Sequence, residues 1–81
     1  MPTRVALLSI IVEDPKSVNM VNELLHQYRN YIIGRMGLPY PKKKISIISV
    51  ALDTSADIIN ALCGKLGSVP GINSKVIYSN H

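Results

Sequence analysis

Residues 4–13, RVALLSIIVE, and residues 44–53, KISIISVALD, are apolar at both odd and even positions. The second segment repeats the first at an offset of forty positions. Eight of the ten aligned pairs are identical or conservative, among them Arg4/Lys44, Ser9/Ser49 and Glu13/Asp53. Such segments read as β-strands that need cover on both sides. The repeat itself points to a duplicated unit. One set of alternate positions is Ala6, Leu8, Ile10 and Val12 with Ile48, Val50 and Leu52. The other is Val5, Leu7, Ser9 and Ile11 with Ile45, Ile47, Ser49 and Ala51.

Between the copies the period changes. Asp14-Pro15 is a helix start, a capping carboxylate followed by proline at the first helical position. Val18, Val21, Leu24, Leu25 and Tyr28 then recur at helical spacing, predicting a helix that ends near Asn30. Residues 31–38 read as a strand in which Gly34 and Gly37 mark a bulge or a close backbone approach. Pro39 and Pro41 should stop that strand and open a turn. The second copy is expected as a strand over 44–52. Thr54-Ser55-Ala56-Asp57 fits a capping box for a second helix. Ile58, Ile59, Leu62, Cys63 and Leu66 supply its apolar stripe, and Gly67 is placed just past its end. A last strand is predicted over 72–79, with Asn80 and His81 frayed.

The resulting order, β-α-β-β-α-β, closes most simply as a ferredoxin-like α+β sandwich, a four-stranded antiparallel sheet with two helices on one face. The repeated strands take the centre and the other two the edges. Two helices cover one face only. The other would leave several hundred Å² of apolar surface in water, which monomers rarely tolerate. The set containing Ser9 and Ser49 is assigned to this open face, because hydroxyls are easier to satisfy at an interface than under helices. A homo-oligomer, dimer or tetramer, packed through that face is the expectation.

Composition agrees with it. The chain has 81 residues, enough for a single domain over 1–81, with 47% hydrophobic and only 17% charged residues. The formal net charge is +4, and three of the nine basic residues form the run Lys42-Lys43-Lys44. That run reads first as a solvated turn and second as an anion contact. Cys63 is the single cysteine, so an intrachain disulfide or a multi-cysteine metal site is excluded, in keeping with a cytoplasmic location. No apolar stretch approaches the ~20 residues a bilayer-spanning helix requires, so no membrane partner is expected.

Catalytic chemistry is thinly represented. His26 falls on the polar side of the first helix, and His81 lies at the end of the sequence, which makes no metal set. Cys63 lies in an apolar stripe and reads as an inert thiol. Ser9 and Ser49 have no histidine partner in their strands. Glu13 and Asp53 end the two central strands, where carboxylates commonly cap the following helix. Arg35 stands out, set between glycines in a strand. An arginine there faces solvent, pairs across an interface, or recognises an anion in a pocket between subunits. Tyr31 and Tyr40 flank the same strand and are candidates to line that pocket. An RNA-binding sheet would need aromatics on its central strands, and these carry aliphatics and serine. Neither a phosphate loop nor a helix-turn-helix signature is present, which argues against direct DNA binding.

Tyr-Ile-Ile-Gly-Arg-Met-Gly at 31–37 is the most specific of several runs that resemble one family. Leu8–Asp14, Val21–His26, Ile45–Val50, Ala61–Gly67 and Pro70-Gly71-Ile72 continue the similarity over nearly the whole chain. The family is that of iron-only (FeFe) hydrogenase system regulators, stand-alone domains similar to ACT domains and to the C-terminal domain of the nickel-responsive repressor. The resemblance implies a ferredoxin-like fold, assembly into dimers or tetramers and a regulatory role; it carries over no catalytic residues, and no cofactor is expected. Two departures stand out. The loop Glu13-Asp14-Pro15-Lys16 lacks the glycine that ACT domains often place there, and the nickel ligands of the repressor have no counterpart. The leading expectation is therefore a non-enzymatic oligomer that binds a small effector and signals to a protein partner. Its alternative is a scaffolding partner in hydrogenase maturation without a small ligand. A hydrolase of the acylphosphatase type ranks third, since no anion cradle is visible in the first loop.

Overall fold

The structure is a computed structural model that describes residues 2–80, so the reading of His81 lies outside the described residues. Four strands, β1 (Arg4–Val12), β2 (Ile32–Tyr40), β3 (Ile45–Thr54) and β4 (Ile72–Tyr78), form one antiparallel sheet in the order β2-β3-β1-β4. Helices α1 (Val18–Gln27) and α2 (Ala56–Gly67) connect β1 to β2 and β3 to β4. This is the expected ferredoxin-like arrangement, with the repeated segments as the central pair.

The helix-side positions of the central strands form the core. Ala6, Leu8, Ile10, Val12, Ile48, Val50 and Leu52 are buried with Val21 and Leu25 of α1 and Ile59, Leu62 and Leu66 of α2. Each large aliphatic side chain so enclosed contributes about 1.5–3 kcal/mol. β1 and β3 pair so that Ser9 lies directly opposite Ser49, its own equivalent in the repeat. The internal two-fold relation of the halves therefore passes between these two serines.

Several local expectations are corrected. Asp14 does cap, its Oδ1 accepting from Lys16 N at 3.0 Å, but it caps a short 3₁₀ turn, Pro15–Ser17, that precedes α1. At its other end α1 stops at Gln27, and Arg29–Tyr31 form a second 3₁₀ turn before β2. β2 runs through Pro39 to Tyr40, so that proline does not end it. An edge strand has a free side on which a missing N–H costs nothing. The bulge falls at the first glycine, where the register with β3 shifts between Ile32 and Gly34. Lys44, expected to begin β3, instead closes the Pro41–Lys43 turn with φ 56°, and β3 begins at Ile45 and reaches Thr54.

The second helix is capped by Ser55, whose Oγ accepts from Ile58 N at 3.4 Å. Thr54 is buried as the last residue of β3, so the reciprocal Thr54–Asp57 box does not form. Gly67 is the last helical residue, and the chain leaves through Ser68 with right-handed geometry rather than a left-handed glycine. The left-handed glycine is Gly71, φ 72°, at the entry to β4. Its carbonyl accepts from Glu13 N at 2.7 Å, and Ser17 Oγ donates to the neighbouring Pro70 carbonyl at 2.7 Å. These two bonds clamp the β1–α1 corner to the start of β4.

Candidate functional site

Strand parity sorts the side chains between two surfaces. On the helix-free face, the pairing register sets out rows across the sheet. Gly34, Ala51, Leu7 and Ile77 form one row, Met36, Ser49, Ser9 and Lys75 the next, and Leu38, Ile47, Ile11 and Asn73 a third. Val5 and Tyr40 extend it at opposite ends. The surface is apolar and open: Leu7 is 41% exposed, Met36 59%, Leu38 53% and Ile77 65%. Ser9 and Ser49 sit at its centre, with Lys75 next in the row on the adjoining strand. This row is a polar mark within an aliphatic field.

The second surface lies on the helix side of β2, at the sheet edge. Arg35 pairs with Val50 in the ladder, which turns it to the same side as α1. Its Nη2 donates to Asn22 Oδ1 on α1 at 2.8 Å. Arg35 is thus on the opposite face from Ser9 and Ser49. Tyr40 is at the far end of β2, and Tyr31 is in the turn before it, its ring centroid 6.3 Å from that of Tyr28. The structure does not bring Tyr31, Arg35 and Tyr40 together in one chain. Tyr40 instead helps line a hollow of about 320 Å³ at the hairpin end, walled by Val12, Pro15, Val18, Pro39 and Lys44. Asn22 and Lys75 were missed by sequence reasoning. The alternation in β4 could have placed Lys75 outward, whereas nothing local in the sequence ties Asn22 to Arg35.

The isolated reactive groups stay isolated. Cys63 is half-buried against the core, and burial pushes its thiol pKa up from the ordinary value. His26 is exposed, its carbonyl accepting from Arg29 Nη1 at 3.0 Å. Among the described residues no group of three or more His, Cys, Asp or Glu side chains could hold a metal ion. No helix among them is long and apolar enough to cross a membrane.

A four-stranded antiparallel sheet with both helices on one side and an open apolar face defines a small ferredoxin-like α+β domain. Its sequence is specific enough to go further. The chain belongs to the TM1266-like family, described as "Iron-only hydrogenase system regulator, putative", which it matches over residues 4–76. It is similar to the solved structure of the uncharacterized protein TM1266 from Thermotoga maritima, with 40% identity and a TM-score of 0.89 over 94% of this chain and 96% of that one. A formyltetrahydrofolate deformylase from Pseudomonas putida KT2440 shares the fold alone, at 14% identity and a TM-score of 0.68, over 95% of this chain and 29% of that chain. None of the curated proteins matches this chain.

Proposed function

We propose that this protein is a non-enzymatic regulatory module of an iron-only hydrogenase system, built as a homodimer in which the open sheet face of one copy packs on that of another. The observation that supports this most directly is the exposure of Leu7, Met36, Leu38 and Ile77 side by side on one face. Four strands at ~4.8 Å spacing and nine residues at ~3.3 Å rise make a face of about 19 Å by 30 Å, roughly 570 Å² in projection. Side-chain relief raises the accessible area above that projection, toward the ~800 Å² per partner of a standard stable interface. In this arrangement Ser9 and Ser49 find hydrogen-bond partners across the contact. An effector or a protein partner then acts by favouring one assembly state.

Native mass spectrometry of protein purified from its own host tests the reading, because it reports assembly and retained ligand together. A dimer or a tetramer is expected. A monomer at micromolar concentration, confirmed by sedimentation equilibrium, refutes it. A stable protein partner captured without any small molecule would shift the role from effector-sensing to scaffolding.

A further inference from the structure

The hollow at the hairpin end does not stand alone. A second one, lined by Asn22, Arg35, Gly37 and Ile48, shares Val18, Pro39 and Ser46 with it. Together they make one groove running along the helix side of β2, with Arg35 at one end and Lys44 at the other. Its walls between those cations are aliphatic and proline, with Ser46 the polar exception.

Three features of the groove bear on what it could hold. Gly37 faces it, and a Cβ built there would meet nothing within 4 Å. The glycine is not required by a close approach or by a positive φ, so its effect is to leave the groove open. A strand position would ordinarily favour a β-branched residue. Arg35 is tethered to Asn22 through one Nη2 hydrogen bond, which orients a guanidinium that has five N–H donors. Lys44, held at φ 56° where it closes the Pro41–Lys43 turn, lines the hollow.

We propose that this groove binds an organic carboxylate with an apolar body, the carboxylate on Arg35 and the body along Val18 and Pro39. Planar two-point hydrogen bonding is what a guanidinium offers a carboxylate, and Asn22 sets the fork in advance. Lys44 adds positive potential at the far mouth. A hollow of about 320 Å³ is at the small end of ligand sites, which suits a metabolite. The inference deepens the regulatory reading by naming its effector class. The groove itself is built within one chain and does not require the dimer.

The test uses 3-phenylpropanoate, 3-phenylpropan-1-ol and inorganic phosphate as probes of the full chain, followed by amide chemical shifts. Saturable shifts at Val18, Asn22, Gly37 and Ser46 are expected with the carboxylate alone. Arg35→Ala should weaken binding roughly tenfold or more, the scale of a lost charged hydrogen bond. Gly37→Val should abolish binding while leaving thermal stability unchanged or raised, and Gly37→Ala serves if the valine variant does not fold. Equal binding of the alcohol, saturation by phosphate alone, or no shift with any probe at millimolar concentration overturns the proposal. Sedimentation of the same samples reads the dimer separately, so a monomer that binds the carboxylate refutes only the assembly.

Discussion

Substituting Gly71 with alanine puts one methyl group where the fold has no room for it. The residue has φ 72°, and a Cβ there would lie 2.6 Å from Asp14 Cβ and 2.9 Å from Asp14 N. Left-handed geometry costs an alanine about 1–2 kcal/mol. The contact is about 1 Å or more inside the ~3.5–4.0 Å at which carbon atoms touch comfortably, and the other partner is backbone, which cannot swing away. Relief requires the β1–α1 corner to part from β4, stretching the 2.7 Å bond from Glu13 N to the Gly71 carbonyl, worth about 0.5–1.5 kcal/mol. The total is roughly 3 kcal/mol from a domain whose whole stability, at ~0.05–0.15 kcal/mol per residue, is of order 4–12 kcal/mol. At about 4–8 °C per kcal/mol for a domain of this size, the melting temperature should fall by roughly 12–24 °C. Urea and thermal unfolding followed by circular dichroism at fixed protomer concentration measure the free-energy loss and the melting temperature, since assembly would make either midpoint concentration-dependent. A loss below about 1 kcal/mol would refute the reasoning, because the left-handed conformation alone accounts for that much.

The same change at Gly64, inside α2 with nothing within 4 Å of its Cβ position, should stabilise by about 0.5–1 kcal/mol in the same melts. Leu7→Asp places a carboxylate on the open face and, by symmetry, twice in a dimer contact. Unpaired buried charge costs several kcal/mol, so dimer affinity should fall about 1,000-fold or more by sedimentation velocity, with the far-ultraviolet spectrum unchanged. Cys63, its thiol pKa raised by burial, should alkylate more slowly with iodoacetamide at neutral pH than a small free thiol. The sign for stability follows: the contribution is present while the unfolded thiol stays protonated and is lost as pH rises through and above the ordinary thiol range.

The central strands were legible because apolar side chains on both faces leave an unbroken run, and the forty-residue repeat made β1 and β3 each other's check. The starts of the helices were legible only in kind. Asp14 and Ser55 both cap, but whether the turn after a cap is 3₁₀ or α depends on how far the neighbouring strand has already run. Thr54 shows it: pairing with Arg4 extends β3 by two residues past the predicted end and moves the cap to Ser55. Arg35 was the hardest to place. Its side of the sheet follows from parity along β2, and the bulge between Ile32 and Gly34 resets that parity by one residue. Sequence marks where a bulge is tolerated through glycine but does not say which of two glycines carries it. The groove was illegible for a related reason, since Val18, Pro39 and Ser46 come from three elements whose approach is fixed only by the closed sheet.

The serine pair at the internal axis has one more consequence. If the halves are equivalent, the pairing of β4 with β1 is the counterpart of the pairing of β2 with β3, and the latter is closed by the Pro41–Lys43 turn. The former is left unlinked, although Ser79 N donates to the Val5 carbonyl at 2.8 Å and Arg4 Nη2 reaches the Ser79 carbonyl at 3.3 Å. Topologically the four strands follow two equivalent arcs, β1-α1-β2 and β3-α2-β4. Joining residue 79 to residue 4 by a short turn and opening the chain at Lys42 would exchange which arc is made first while preserving every strand neighbour. Synthesis order, on this view, is an arbitrary choice laid over a two-arc architecture.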